Sequence, residues 1–434
     1  MMADRGGSGA PARDAALADW LAYIEGRHPQ SIAMGLDRVA EVRDRLNLRP
    51  DFAIVTVGGT NGKGSTCAFL EAILSEAGYR VGCYTSPHLL AYNERVRVAR
   101  TNLSDAELGA AFAEIEAARG SVPLTYFEFG TLAALWHFCQ RDLDVGVLEV
   151  GLGGRLDAVN AFDADCAVIT SIGLDHMEYL GPTRESIGFE KAGIFRCGRP
   201  AVIAEPDPPH TLLDHALATG AHSVRLGVDF GAEPDGGQWK YVGPGGMRAG
   251  LPHPALRGRY QIDNAAAAIT AIDTLRERLP VSMSAVRQGL LLAELPGRFQ
   301  VLPGRPVTIL DVAHNPHAAE RLAVALAAMS GQHRTRFVFA MLADKDIEGV
   351  VRAVRAHADH WYLAPLPGPR GASIVRLETA LDAEQVFDAV SSFDDVAQAL
   401  AAAQDAAGVD DRIVVFGSFL TVSQALQQLV RRST

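Results

Sequence analysis

Short apolar segments rich in valine and isoleucine alternate with longer amphipathic stretches along most of the chain. Continuous apolar runs of this length are typical of parallel strands buried on both faces, and the longer stretches have the period of helices. The alternation therefore predicts an α/β protein with a mostly parallel sheet. In the first half, strands are predicted at 52–57, 80–85, 144–150, 166–172 and 200–204, and helices near 65–77, 105–118, 128–140 and 185–195.

Three segments of the chain depart from this alternation. Residues 1–13 are small and polar, which is typical of a flexible tail. Residues 14–47 have a helical pattern that is interrupted near Pro29. The glycine-rich stretch 227–259 predicts a small β excursion between the strands above and two further helices, near 262–278 and 284–293.

A proline- and glycine-dense stretch around 296–306 predicts an interdomain linker, placed at 298–306. Beyond it the alternation restarts, which divides the chain into a larger first domain, 14–297, and a smaller second one, 307–434. The predicted fold is a P-loop-type, mostly parallel sheet domain followed by a Rossmann-like α/β domain. In the second domain, strands are predicted at 307–311, 337–342, 360–364 and 413–416, and helices at 317–329, 346–357 and 421–431.

Composition narrows the class of protein. The 434 residues are 48% hydrophobic and carry a formal net charge of −11, without a stripe of basic residues, which disfavours a nucleic-acid or membrane-surface binder. The five cysteines form neither a CxxC site nor an even disulfide framework, as expected in a reducing cytoplasm. No apolar run approaches the roughly 18 residues of a spanning helix, and the N-terminus lacks the apolar core of a signal peptide.

The segment VTVGGTNGKGST leads from a predicted buried strand through a glycine-rich turn into a helix that ends at Gly78. Backbone N–H groups of such a turn can surround a phosphate, and the helix N-terminus and Lys63 add positive charge. Ser65 or Thr66 can reach a metal ion. The spacing differs from the usual P-loop, because Gly64 separates Lys63 from Ser65. The flanking strand and helix nevertheless favour nucleotide phosphate binding over a tight structural turn.

Polar residues follow several strands, at the edge where ligands bind in open parallel sheets. Ser86, Glu149 and His176 could together hold one or two Mg²⁺ ions, although histidine is an uncommon magnesium ligand. Each alone is more often a turn, cap or loop residue. Asp175 either orients His176 or closes a turn. Composition alone assigns Lys191 to a solvated helix surface.

The second domain offers a comparable set of polar residues. Asp311 ends a predicted strand, where its carboxylate can accept hydrogen bonds from a ribose or cap the next helix. Pro316 suits the first turn of that helix. Lys345 lies in a loop where it either reaches a phosphate or is solvated. Arg298, in the predicted linker, can move onto a nucleotide when the domains close.

Longer motifs extend over nearly the whole chain from about residue 16, and only 205–260 and 365–410 lack landmarks. The motifs are GGTNGKGST, TSPHL with NERVRV downstream, LTYFEFGTLAAL, EVGLGGRLDAVN, ITSIGLDHMEYLG, EKAGIF, LPGRFQ, DVAHNPHAA, MLADKD and VVFGSF. Their sequence and order resemble those of the folylpolyglutamate synthases and dihydrofolate synthases, a family of Mur-ligase-like ATP-dependent amide ligases.

The resemblance implies ATP between the two domains, with Mg²⁺ as its partner and with Lys63, Glu149, His176 and Lys191 as catalytic groups. It implies that Lys191 is carbamylated, against the surface location that composition suggests. The ATP contacts that it implies are Thr60, Asn61, Gly62, Lys63, Gly64, Ser65, Asn264, Arg298, Asp311 and His314. The implied metal ligands are Ser86, Glu149, His176 and carbamylated Lys191.

The resemblance also implies a pterin-binding site in the first domain. The enzyme is expected to add L-glutamate to dihydropteroate and to the tail of reduced folates, through an acyl phosphate. A cytoplasmic monomer that binds neither nucleic acid nor membrane is expected. The implied pterin contacts are Ala33, Gly35, Asp37, Arg38, Thr125, Tyr126, Phe127, Glu128, Leu156, Asp157 and Ala158.

Three alternative functions stay open at this stage. The chain could lengthen folate tails without synthesising dihydrofolate, although pterin-contacting segments favour both activities. A muramoyl-peptide ligase carries a further N-terminal domain, for which the 50 residues before the first strand are too few. A P-loop nucleotide hydrolase without ligation would require neither the second domain nor the Glu149, His176 and Lys191 landmarks.

Overall fold

The computed structural model describes residues 9–30, 32–329, 331 and 334–433. Residues 1–8 of the expected tail lie outside the described residues. At the end of that tail, the Arg13 guanidinium lies 3.1 Å from the carboxylate of Glu114. Within the described residues, the strands form a large sheet, a small antiparallel sheet and a second α/β sheet.

The first sheet has the order β4-β3-β2-β5-β1-β6-β7-β8. The six neighbouring strands β2, β5, β1, β6, β7 and β8 are mutually parallel, while β3 and β4 form an antiparallel edge. The strands are β1 (Ala53–Gly58), β2 (Val81–Tyr84), β3 (Val96–Val98), β4 (Thr101–Asn102), β5 (Val145–Glu149), β6 (Cys166–Ile169), β7 (Pro200–Ile203) and β8 (His222–Arg225).

Helices cover both faces of this sheet, which explains why its central strands are apolar throughout. One face packs on α1 (Leu17–Glu25), α2 (Asp37–Arg45), α4 (Asp105–Arg119), α5 (Tyr126–Cys139), α7 (Arg184–Ala192) and α8 (His210–Thr219). The other face packs on α3 (Lys63–Glu76), α9 (Tyr260–Thr274) and α10 (Met283–Leu292). The short helix α6 (Met177–Leu180) follows β6.

The glycine-rich segment forms the small antiparallel sheet, as predicted. Its strands are β9 (Gly231–Asp235), β10 (Gln238–Gly243) and β11 (Gly246–Leu251). Trp239 and Tyr241 are buried against the layer of α3, α9 and α10, and the hydroxyl of Tyr241 lies 3.0 Å from that of Thr270 on α9.

The second large sheet has the order β12-β13-β17-β14-β15-β16, with only β12 antiparallel among its described strands. Helices again cover both of its faces. The strands are β12 (Gln300–Leu302), β13 (Val307–Asp311), β14 (Thr335–Phe339), β15 (His360–Leu363), β16 (Val390–Ser392) and β17 (Arg412–Phe416). The helices are α11 (Pro316–Ala327), α12 (Ile347–Val354), α13 (Ile374–Ala383), α14 (Val396–Ala406) and α15 (Phe419–Ser433).

The α/β architecture and the mostly parallel first sheet are confirmed, and the long predicted elements are found with ends shifted by a few residues. The segment 298–306 is not entirely a linker, because β12 pairs with β13 and belongs to the second sheet. The predictions missed the edge strands β3, β4, β8 and β16 and the helices α8, α13 and α14. The division into domains stays a prediction.

The topology places the functional loops. The carboxyl ends of parallel strands meet at one edge of a sheet, so the loops after β1, β2, β5 and β6 converge. The loops after β13, β14 and β17 converge in the same way in the second sheet. No helix in the described part of the chain is long and apolar enough to cross a membrane.

Candidate active site

A cavity of about 670 Å³ lies between the converging loops of the two sheets. Its lining draws on residues from Gly59 to Ser423, so neither sheet forms it alone. The structure therefore brings together most of the nucleotide and metal residues implied by the sequence. Those that line the cavity are Thr60, Asn61, Gly62, Lys63, Gly64, Ser65, Ser86, Glu149, His176, Lys191, Arg298, Asp311 and His314.

The glycine-rich turn between β1 and α3 forms one wall. Gly59 and Gly62 have φ angles of 141° and 92°, a region that favours glycine. A Cβ at Gly62 would stand 2.5 Å from Oδ1 of Asn264, so the turn packs directly on α9. The Lys63 ammonium donates to the carbonyls of Gly59 and Thr60, at 3.0 and 3.2 Å. The amine thus lies folded over the turn, next to where a phosphate would bind.

Glu149 ends β5 and lies beside this turn. One carboxylate oxygen accepts a hydrogen bond from the backbone N–H of Ser86 at 3.0 Å, and both lie 3.8 Å from where a Cβ of Gly64 would be. Burial raises the pKa of Glu149, although the charge of Lys63 acts in the opposite direction. A nearby cation would offset the cost of burying this charge.

Lys191, near the end of α7, is buried with 4% of its surface exposed, so a solvated lysine is the wrong interpretation. Its ammonium donates to the carbonyl of Gly59 at 3.1 Å. Burial, followed by the charge of Lys63, lowers the pKa of Lys191 to about 7. A substantial fraction of uncharged amine is therefore present at neutral pH.

His176 follows β6 and has a φ angle of 52°, an uncommon conformation for a residue other than glycine. Burial lowers its pKa to about 4, so the imidazole is neutral and can act as a ligand. Asp175 does not mainly orient this ring, whose Nε2 lies 3.9 Å away. Its carboxylate instead accepts a hydrogen bond from Lys345 at 2.6 Å, so the solvated alternative for Lys345 is also wrong.

Asp311, at the end of β13, accepts hydrogen bonds at 2.8 Å from the backbone N–H groups of Phe299 and Ala313. It does not cap α11, because the side chain of Asn315 accepts from Ala318 and Pro316 is the first helical residue. Arg298 already faces the cavity in this structure, stacked on the ring of Phe419 at 4.9 Å.

The donor set fits Mg²⁺ better than a metal with an all-protein cage. In the described part of the chain, no group of three or more His, Cys, Asp or Glu could hold a metal ion. Magnesium usually takes one or two carboxylates and completes its shell with water and phosphate oxygens. Glu149 and the hydroxyls of Ser65 and Ser86 around the glycine-rich turn provide such a partial shell.

A second cavity of about 230 Å³ adjoins the first and contains much of the predicted pterin site. The carboxylate of Asp157 accepts from the N–H groups of Leu152 and Val159, and burial raises its pKa to about 6. Of the implied contacts, seven line this cavity: Ala33, Thr125, Phe127, Glu128, Leu156, Asp157 and Ala158.

The other four implied pterin residues lie outside the lining of this cavity. Arg38 donates to Glu128 at 2.8 Å and to the Ala33 carbonyl at 2.7 Å. The N–H of Gly35 donates to the Leu156 carbonyl at 3.4 Å. Tyr126 stacks edge-on against Tyr92, and Asp37 begins α2. Arg38 and Glu128, which were both expected to contact the substrate, therefore form an ion pair with each other.

Sequence reasoning did not single out several side chains that line the large cavity, among them His88, Arg95, Tyr260 and Arg321. His88 lies in the TSPHL motif and Arg95 in NERVRV, so these two motifs could have identified both residues as candidates for the site. Tyr260 and Arg321 stand in no recognised motif. Their proximity, with the guanidinium 5.3 Å from the ring centroid, depends on contact between α9 and α11.

Two domain profiles of the Mur ligases match this chain. The sequence profile of the Mur ligase middle domain matches residues 57–272, and that of the Mur ligase glutamate ligase domain matches residues 297–419. The chain is also 48% identical over 422 residues to the dihydrofolate synthase/folylpolyglutamate synthase of Escherichia coli K12, covering 96% of both chains. The chain therefore belongs to the dihydrofolate synthase/folylpolyglutamate synthase family of Mur ligases.

Solved structures agree with this assignment. The structure of E. coli FolC in complex with DHPP and ADP superposes with a TM-score of 0.92 at 48% identity, covering 98% of this chain and 100% of that one. A bifunctional folylpolyglutamate synthase/dihydrofolate synthase with Mn, AMPPNP and L-glutamate bound gives a TM-score of 0.90 at 47% identity, covering 97% and 100%.

Proposed function

We propose that this chain is an ATP-dependent ligase that joins L-glutamate to dihydropteroate and to the glutamate tail of reduced folates. The observation that carries the proposal is the junction of two cavities: one surrounds the glycine-rich turn, and the other is enclosed by the LTYFEF and GGRLDA segments. The homologous structures bound to ADP, AMPPNP, Mn, DHPP and L-glutamate support the same ligands for this chain.

In this proposal ATP occupies the large cavity, with its phosphates on Thr60–Ser65. The backbone N–H groups of the turn, the N-terminus of α3 and the Lys63 ammonium together offset the charge of a triphosphate. The nucleoside lies near Asn264, Arg298, Asp311 and His314. Support for this placement comes from Arg298, which is half-buried, lines the cavity and stacks on Phe419 rather than pairing with a carboxylate.

A divalent cation, held by Glu149 and Ser86 with His176 nearby, would supply Lewis-acid stabilisation of the charge on the transferred phosphoryl group. We further propose that Lys191 is carbamylated: the uncharged amine attacks CO₂, and a proton leaves to solvent. The lowered pKa and buried position of Lys191 support this step, because only a neutral amine reacts. The resulting anion would face the same cations as Glu149.

The folate substrate is proposed to bind in the smaller cavity. The side chain of Phe127 packs 5.8 Å from the ring of Tyr84, and the buried Asp157 carboxylate provides an acceptor for ring N–H groups. Dihydropteroate has no glutamate tail, so an enzyme that uses it must bind the ring. The presence of a cavity lined by these segments therefore favours both activities over tail lengthening alone.

A carboxylate is a poor acceptor for an amine at neutral pH, so the γ-phosphoryl group of ATP first passes to the substrate carboxylate. The glutamate amine then attacks the acyl carbon, phosphate leaves, and an amide forms. The cationic groups around the turn offset charge on the transferred phosphoryl group, which is the main source of catalysis in such reactions. Enclosure between two sheets limits hydrolysis of the intermediate.

The test is ADP release by the purified chain with ATP and Mg²⁺. We expect release only when L-glutamate and either dihydropteroate or tetrahydrofolate are both present. If glutamate-dependent release occurs with tetrahydrofolate but not with dihydropteroate, the function is tail lengthening only. Release that does not depend on glutamate would identify a nucleotide hydrolase and contradict the ligase.

We propose that the enzyme acts as a monomer in the cytoplasm. The cysteine pattern supports a reducing compartment, since five free thiols, three of them fully buried, form no disulfide among the described residues. Light scattering coupled to size exclusion should give the mass of one chain, 46.3 kDa. A dimer mass would contradict the monomer.

A further inference from the structure

Arg95 lies at the wall between the two cavities. Five residues line both cavities: Ser86, Pro87, Arg95, Gly151 and Leu152. Among these five, Arg95 is the only one with a charged side chain. The proposed reaction joins a phosphoryl group from one cavity to a carboxylate from the other, so the reacting atoms must meet at this wall.

The guanidinium of Arg95 is fixed in place by uncharged groups. Its Nε donates to Nδ1 of His88 at 2.9 Å. The rings of Tyr92 and Tyr126 lie 5.2 and 5.5 Å from its central carbon, at cation–π distance. In this arrangement Nε has a hydrogen-bond partner, while the two terminal nitrogens have none among the described residues and stay available as donors.

No carboxylate of the described residues forms an ion pair with Arg95, although nearby arginines have one. Arg97, two residues later in the chain and on β3, donates to Glu71 at 2.8 Å. A half-buried guanidinium with no counter-ion is costly, because the desolvation of its charge is not offset. A planar fork with two free nitrogens matches a carboxylate, which it can bind through two parallel hydrogen bonds.

We propose that Arg95 binds the substrate carboxylate that becomes phosphorylated, and that His88 is the positioning residue that aims the guanidinium at it. This inference rests on the proposed function, because it names the group that holds the acceptor. For dihydropteroate, the bound group is the carboxylate on the aromatic ring. Holding both oxygens in one plane would direct one of them toward the glycine-rich turn.

The test is a comparison of two ligands across variants. Dihydropteroate and its carboxamide analogue differ only in the charged group, and their dissociation constants are measured in the presence of ADP. We expect the chain to prefer the carboxylate by about 10- to 100-fold, which is the effect of charge-assisted hydrogen bonds. In Arg95→Met that preference should fall to within about twofold, while affinity for ADP stays unchanged.

Arg27→Met is the matched control. Arg27 stacks on Tyr23 at 4.2 Å but lines neither cavity, so this substitution removes a comparable cation–π contact without touching the wall. It should leave the preference for the carboxylate intact. If Arg95→Met does not fold, Arg95→Lys replaces it, and the preference should still fall because an ammonium lacks the planar fork.

The role of His88 is separated by two substitutions. His88→Leu removes the acceptor for Nε and should raise KM for dihydropteroate and weaken the preference for the carboxylate. His88→Asn keeps an acceptor oxygen in a similar place and should restore both, which a role in packing alone would not produce.

Retention of the full preference in Arg95→Met, or in Arg95→Lys where it is used, would overturn the proposal. Identical behaviour of the two His88 variants would overturn the positioning role. Failure of the proposed function is distinguishable, because it would appear as the absence of glutamate-dependent ADP release in the unchanged chain, whatever the ligand preference.

Discussion

Asp175 and Lys345 join the two large sheets through a buried ion pair, with Nζ 2.6 Å from Oδ1. Asp175 lies in the loop after β6 and Lys345 in the loop after β14, and the two side chains are 10% and 8% exposed. The same carboxylate accepts a hydrogen bond from Asn315 at 3.1 Å and lies 3.5 Å from His314. This pair therefore helps to set how the two strand edges face each other across the cavity.

Replacing Lys345 by methionine should lower the free energy of unfolding by about 3–5 kcal/mol, the range found when one partner of a buried ion pair is removed. The neighbouring pair of Arg370 and Asp344 is a matched control, because its side chains are 59% and 36% exposed. Arg370→Met should cost less than about 1 kcal/mol. Urea unfolding of both variants measures the difference, and equal costs would contradict a structural role for the buried pair.

The pH dependence of this pair has a defined sign. Burial acts to raise the pKa of Asp175, but the hydrogen bond from His314 and the charge of Lys345 outweigh it and hold the pKa well below its usual range. The unfolded chain takes up this proton near pH 4 and the folded chain does not. The stabilisation is therefore complete above about pH 5 and declines as the pH falls further.

Asp175→Asn should accordingly be less stable than the unchanged chain at pH 7, and the gap should narrow as the pH is lowered through 4. The comparison uses unfolding free energies from urea titrations at a series of pH values. A gap of constant size would show that the carboxylate charge makes no contribution.

Lys63 is the residue of the glycine-rich turn whose loss should affect chemistry most. Its ammonium lies over the carbonyls of Gly59 and Thr60, where it can reach a phosphate without a change in the fold. Lys63→Ala should lower glutamate-dependent turnover by roughly two to four decades, as expected when transition-state charge loses a fixed cation. Lys240→Ala, which removes a lysine paired with Glu233 on the small sheet, should leave turnover unchanged. A mild effect of Lys63→Ala would mean that the turn binds another group.

The glycine-rich turn could be predicted because its signal is local. Glycine spacing, a lysine and the flanking strand and helix all lie within one short segment. The positive φ angles of Gly59 and Gly62 agree with the prediction of a turn that requires glycine. The residues at strand ends could also be found, since parallel topology brings them to one edge. The burial of Lys191 could not be read from the composition of its helix, because it depends on how α7 packs beneath the turn.

What could not be predicted depends on contacts between distant segments. The partners of Asp175 are 140 and 170 residues away, and no local pattern identifies them. The strands β3 and β4 have only three and two residues, too few for a pattern of their own, so their place in the sheet depends on the pairing of β3 with β2 and of β4 with β3. The ion pair of Arg38 and Glu128 likewise joins residues 90 apart, so no local pattern shows that Arg38 holds a side chain that lines the cavity.

Lys191→Ala should abolish turnover if the buried amine is carbamylated. A small carboxylate such as acetate should restore part of the activity of Lys191→Ala, because it can fill the vacated space with an anion, and should not stimulate Lys240→Ala. Since the pKa of Lys191 is lowered to about 7, the reactive neutral amine increases as the pH rises through that value. Activity after removal of CO₂ should therefore recover faster above pH 7 when CO₂ is returned at the same dissolved concentration at each pH. Unimpaired Lys191→Ala would remove this residue from the site.

Arg97 connects the helix after the glycine-rich turn to the loop that bears Ser86. Its guanidinium donates to Glu71 on α3 from Nε at 3.0 Å and from Nη2 at 2.8 Å, to the Thr85 hydroxyl at 3.1 Å and to the Glu94 carbonyl at 2.7 Å. Cys83 stands opposite Arg97 in the register of β2 and β3, and its sulfur accepts the remaining N–H at 3.2 Å. Every donor of the guanidinium is therefore satisfied, and a lysine cannot replace this geometry.

Arg97→Lys should thus reduce turnover about tenfold or more with little change in KM for ATP, because Ser86 and the start of α3 lose their common support. Arg97→Met should cost about 3–5 kcal/mol of stability by leaving Glu71 buried and unpaired. The double variant Arg97→Met with Glu71→Leu should recover part of that cost, since no buried charge remains. Arg100→Met is the control: Arg100 lies 3.8 Å from Glu76 on the same helix, but both side chains are about one-third exposed. Equal loss of turnover in Arg97→Lys and Arg100→Met would show that the buried pair does not position the site.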